Sequence, residues 1–108
     1  MDEKDYIEFA KTTDRYPNGN RIEFYTFGIT EEAGEVAGKI KRVYRDDSGR
    51  VTLDRRMQIL TELGDLLWYM VRMVDVLSSS MDEVREINHL KLSQRVANNT
   101  LHGSGDNR

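Results

Sequence analysis

No cysteine occurs among the 108 residues of this chain, so disulfides and thiolate metal centres are excluded. No basic excess is present either. Sixteen Lys and Arg stand against 19 Asp and Glu, a formal charge of −3, which leaves little to drive the counterion release on which nucleic-acid binding depends. No apolar run approaches the roughly 20 residues of a membrane span, and Met1-Asp2-Glu3-Lys4-Asp5 is charged where a secretory signal would be apolar. These absences lead us to expect a soluble cytoplasmic protein with neither membrane nor nucleic acid as a partner. Histidine is scarce as well, with only His89 and His102. Glu86-Ile87-Asn88-His89 has the E-x-x-H spacing of di-iron carboxylate bundles, but that chemistry takes two such motifs and the chain has one. Internal repeats, strand-like alternation and low-complexity tracts are all missing. What remains is one all-α domain over residues 1–108, with a polar tail from Ala97.

Four amphipathic segments fill that frame. Residues 2–14 alternate charge with Tyr6, Ile7, Phe9 and Ala10. Tyr16-Pro17-Asn18-Gly19-Asn20 then breaks the helix, joining the one proline to turn residues. Asn20 and Glu23 have capping-box spacing and predict the start of a second helix, whose stripe runs Ile22, Tyr25, Ile29, Ala33, Val36, Ile40, Val43 to a stop at Asp46-Asp47-Ser48-Gly49. Thr52 is placed to cap a third helix from Leu53. That helix carries two apolar stripes. Leu60, Leu63, Leu67, Met70, Val74 and Leu77 form a 3-4-3-4-3 packing seam, and beside it run Ile59, Glu62, Leu66, Tyr69, Met73 and Val76. Two such stripes imply packing on two sides, with a second subunit as the expected cover for one of them. Ser80-x-x-Glu83 opens a fourth helix through Val84, Ile87 and Leu90. The spacing predicts a four-helix bundle.

The chemistry concentrates in two acidic clusters, Glu31-Glu32-Ala33-Gly34-Glu35 and Glu62-Leu63-Gly64-Asp65. Glu32/Glu35 and Glu62/Asp65 are each spaced i, i+3 and share a helix face. Glu32 lies on the row Ile29-Glu32-Val36 and Glu62 on Ile59-Glu62-Leu66, so each interrupts an apolar row, while Glu35 and Asp65 flank toward the polar side. Four carboxylates converging from facing helices repel one another unless a cation sits among them. An all-oxygen set of this kind suits Mg²⁺ or Mn²⁺. Gly34 and Gly64, each costing about 1 kcal/mol relative to alanine inside a helix, suggest close approach of a backbone or a ligand beside each pair. Downstream, residues 39–56 hold seven basic residues (Lys39, Lys41, Arg42, Arg45, Arg50, Arg55, Arg56) against three acidic ones, a rim suited to phosphates.

Glu31-Glu32-x-x-Glu35 followed by Glu62-x-x-Asp65 resembles the EExxE…ExxD signature of the all-α nucleoside triphosphate pyrophosphohydrolases of the MazG type. Gly64-Asp65-Leu66-Leu67-Trp68-Tyr69, Asn88-x-x-Lys91-Leu92-x-x-Arg95 and the ending His102-Gly103-Ser104-Gly105-Asp106-Asn107-Arg108 resemble later parts of small single-domain members. The resemblance covers roughly residues 25–108. It implies hydrolysis of a (deoxy)nucleoside triphosphate to the monophosphate and pyrophosphate, in control of the nucleotide pool. By carry-over, Glu32, Glu35, Glu62 and Asp65 hold Mg²⁺, and Glu31 and Glu35 are the catalytic positions, Glu31 serving a second ion or orienting the attacking water. Lys91 and Arg95 face the phosphates, Asn88 binds the nucleotide, Asn107 and Arg108 close over the site, and Trp68 either packs or stacks on the base. The resemblance further implies dimers or dimers of dimers. The short form points to a purine dNTP such as dGTP and to the host cytoplasm where the gene is phage-borne. A different class of protein, a non-catalytic helical interaction or regulatory module, would tolerate amides at the acidic positions and bind no divalent ion.

Overall fold

The computed structural model describes residues 1–16 and 19–108. Pro17 and Asn18, at the centre of the expected turn, lie outside the described residues. Helix α1 spans Glu3–Thr13, α2 Arg21–Asp46, α3 Leu53–Val76 and α4 Met81–Ala97, and the described residues contain no strand. The all-α, four-helix expectation holds.

Local chemistry sets most of the helix ends. The Asp2 carboxylate accepts from the Asp5 amide at 2.8 Å, the Thr52 hydroxyl from Arg55 at 3.1 Å and the Ser80 hydroxyl from Glu83 at 3.1 Å. Asn20 is the exception. It precedes α2 without any side-chain cap bond, so the capping box expected with Glu23 does not form. Helix α2 ends as Ser48 and Gly49 turn to positive φ, and the Gly49 amide donates back to the Val43 carbonyl at 3.1 Å.

Helices α2 and α3 form an antiparallel hairpin, as the short 47–52 connection requires. Gly28 meets Tyr69, Glu32 meets Asp65, Lys39 meets Glu62 and Asp47 meets Arg55, so one position climbs as the other falls. Helix α1 lies across α3, and α4 packs on α3 with an added ion pair from Arg85 to Glu3.

A buried polar knot fixes the α1–α2 connection to α3. The Asp14 carboxylate is 3% exposed and accepts from the Tyr25 hydroxyl, from Arg72 Nε at 2.9 Å and from the Tyr16 amide at 3.2 Å. Burial alone would raise its pKa, yet the bonds from Tyr25, Arg72 and Tyr16 and the charge of Arg72 hold it below the ordinary aspartate value. Tyr16 also stacks on Phe24, with ring centroids 3.9 Å apart.

The two stripes of α3 exchange the roles their spacing suggests. Ile59, Glu62, Leu66 and Tyr69 are partly buried and lie on the α2 side, whereas the regular seam is uncovered, with Leu60, Leu63, Leu67 and Met70 38–43% exposed. The reason is geometric: α2 takes the stripe that carries Glu62, which leaves the seam to face outward. Buried apolar side chains among the described residues are few, namely Ala10, Tyr25, Val43 and Val71. The radius of gyration, 17.0 Å, exceeds the roughly 13 Å of a compact chain of this length.

Candidate active site

The antiparallel register carries Glu32 of α2 to the level of Glu62 and Asp65 on α3. One carboxylate oxygen from each lies within 4.8 Å of the other two. Glu32 and Glu62 are half-buried and Asp65 is exposed, as their rows predict. Burial lifts the Glu32 carboxyl above its ordinary pKa, and the charge of Asp65, a hydrogen bond with Glu62 and the charges of Glu62 and Glu31 all push it further up. The phenol of Tyr69 rises for the same reasons, burial first and then the charges of Glu32, Glu31 and Asp65. A divalent cation among the three oxygens would offset the charge repulsion that adds to burial in these shifts, and their hard, all-oxygen chemistry fits Mg²⁺ or Mn²⁺.

Glu31 and Glu35 flank this group on α2, both exposed and outside the set of converging oxygens. Glu31 still acts on the site through its charge on Glu32 and Tyr69. Lys39 reaches in from the next turns of α2, with Nζ 3.7 Å from Glu62 Oε1. The sequence shows Lys39 only as one of the basic rim; its position seven residues after Glu32, on the same face, was the available signal. Elsewhere in the rim, Arg45 pairs with Asp46 and Arg55 with Asp46 and Asp47.

Beside the carboxylates lies an open groove of about 520 Å³, lined by Phe9 and Thr13 of α1, Glu32 of α2, and Asp65, Trp68 and Tyr69 of α3. Its shape depends on Gly28. A Cβ there would enter the Tyr69 ring, standing 2.6 Å from Cγ, so the glycine admits the ring against α2. Gly34 and Gly64 behave otherwise. A Cβ at either meets nothing within 4 Å, so within this chain they bring no backbones together.

The expected phosphate-facing residues sit apart from this groove. On α4, Lys91 Nζ is 3.4 Å and Arg95 Nη2 3.1 Å from Asp106 Oδ1 of the tail. Arg108 donates to the carbonyls of Thr100, Leu101 and Gly105 and so ties the tail into a turn, while Asn88 and Asn107 are exposed. Trp68 is partly buried, and its indole N–H donates to the Thr13 hydroxyl at 2.8 Å. The E-x-x-H residues Glu86 and His89 are both exposed and take no part in the carboxylate cluster.

Residues 21–99 match the MazG nucleotide pyrophosphohydrolase domain. The Gene 37 protein of Mycobacterium phage L5 is 37% identical over 87 residues, which make up 81% of this chain and 76% of that protein. No solved structure matches. The domain match runs from the first residue of α2 past the end of α4 and takes in both acidic clusters, and on that ground the chain belongs to the MazG nucleotide pyrophosphohydrolase family.

Proposed function

We propose that this protein hydrolyses a (deoxy)nucleoside triphosphate to the monophosphate and pyrophosphate in the presence of Mg²⁺, with Mn²⁺ as a substitute. The observation that carries the proposal is the convergence of Glu32, Glu62 and Asp65 beside a groove of nucleotide size. These three residues hold the ion, and Glu35, one turn along α2, completes the set by a change of rotamer. A divalent ion held there would supply charge neutralisation at the phosphates and a more acidic water. Glu31, exposed at the edge of the cluster, accepts the proton of the attacking water. The water oxygen bonds to the α-phosphorus, the bond from that phosphorus to the α–β bridging oxygen breaks, and pyrophosphate leaves. Lys39 is placed to follow the phosphates once Glu62 is engaged.

Self-association belongs to the same reading. The exposed seam of α3 from Leu60 to Met70 is a continuous apolar ridge of a kind that soluble monomers rarely leave open. Its 3-4 spacing is self-complementary in an antiparallel pair of hairpins, which suits a dimer or a dimer of dimers.

The test is a substrate panel: each NTP and dNTP, led by dGTP, incubated with Mg²⁺ and assayed for pyrophosphate and orthophosphate separately. Release of pyrophosphate without orthophosphate is the expected result. Release of orthophosphate, or turnover unchanged in Asp65→Asn, overturns the proposal.

A further inference from the structure

Helix α1 precedes the segment that matches the family, yet it forms one wall of the groove. Its contribution is Phe9 and Thr13, four residues apart and therefore on one helix face. The groove lining joins two chemistries, the carboxylates of Glu32 and Asp65 and the rings of Phe9, Trp68 and Tyr69. Phe9 is 50% exposed, so its ring is open to the groove it lines. Trp68 is oriented rather than free. Its indole N–H donates to the Thr13 hydroxyl, which donates in turn to the Ala10 carbonyl at 3.0 Å. Tyr69 braces it edge-on, with ring centroids 5.1 Å apart.

We propose that α1 builds a nucleobase subsite in which Phe9 stacks on the base and Thr13 is a positioning residue that fixes Trp68 opposite. The proposal rests on the nucleotide reading of the carboxylate cluster and deepens it. The Trp68 and Thr13 donors are both spent within the protein, so Phe9 and Trp68 offer a base their π-faces rather than hydrogen bonds. A base held in this way is read by its face and not by its edge. Stacking is worth about 1–3 kcal/mol per base and tolerates any of them. Discrimination among the four bases is accordingly weak, about tenfold at most, and in favour of the larger purines.

Trp68 is the sole tryptophan, so its fluorescence reports the subsite directly, without hydrolysis. Wild type, Phe9→Leu and Phe9→Tyr are titrated with dGMP and dCMP, and Mn²⁺ affinity is measured in parallel. Quenching of wild type by both nucleotides is expected, with affinities about tenfold apart or less. Phe9→Leu, which keeps apolar bulk but loses the ring, should weaken both by at least about fivefold and leave Mn²⁺ affinity unchanged. Phe9→Tyr should restore binding. Thr13→Val should shift the emission of Trp68 and raise KM with little change in kcat, and Thr13→Ser should rescue both. Equal affinities in wild type and Phe9→Leu, or discrimination above a hundredfold between the two bases, overturn the proposal. Nucleotide binding with no pyrophosphate released would instead sink the hydrolytic reading and leave the subsite standing.

Discussion

Replacing Asp14 by alanine should unfold this protein well below its normal melting temperature. Its carboxylate is 3% exposed, and its main partner Arg72 is 7% exposed, so the variant strands a buried guanidinium and also leaves the Tyr25 hydroxyl without its acceptor. Breaking a buried charge pair from one side costs about 3–5 kcal/mol. Arg72 keeps Asp75, 3.0 Å away and 43% exposed, which retains part of the stabilisation and sets the expectation at the lower figure, about 3 kcal/mol. At about 4 °C per kcal/mol for a chain of this size, Tm should fall by about 12 °C. Circular dichroism at 222 nm reads it. The pH dependence supplies a second check on the same interaction. The folded pKa of Asp14 lies below its unfolded value of about 3.9, so its contribution is complete above that pH and disappears as pH falls through the folded value. The gap in Tm between wild type and Asp14→Asn should therefore stay constant from pH 5 to 7 and close under acid. A drop of only a degree or two in Asp14→Ala, or a gap that widens under acid, would refute the reasoning.

Three glycines give expectations of opposite kinds. Gly28→Ala should lose about 1–3 kcal/mol and shift the Tyr69 ring into the groove, lowering nucleotide affinity, whereas Gly34→Ala and Gly64→Ala should gain up to about 1 kcal/mol in helix stability; thermal melts of the three would separate them. By light scattering, wild type should have the mass of a dimer or tetramer and Leu63→Glu with Leu67→Glu that of a monomer with helical circular dichroism intact; equal masses would count against the seam as a self-association surface.

The helices were legible because each is written locally: Thr52 and Ser80 cap through their own side chains, and the 3-4 spacings mark the faces. Asn20 shows the limit of such signals, since capping-box spacing does not oblige the side chain to turn inward. Which of the two α3 stripes meets α2 was not legible, because both are apolar and only the tertiary register chooses between them. Glu32 and Glu62 could be found from charge set into apolar rows, and Asp65 from its i, i+3 spacing to Glu62. Phe9 and Thr13 could not. They carry no charge, and their contact with Trp68 joins residues 13 and 68, a pairing that no local pattern encodes. Lys91, Arg95 and Arg108 illustrate a further gap, because sequence gives their charge but not the tail carboxylate and carbonyls that engage them.

The claim on which the rest depends is that Glu32, Glu62 and Asp65 form one cation site. Calorimetric titration of the purified protein with Mn²⁺, alongside Glu62→Gln, tests it most directly. Saturable binding that weakens at least tenfold in Glu62→Gln is the result predicted here; absence of binding in wild type, or equal affinity in the two proteins, would contradict it.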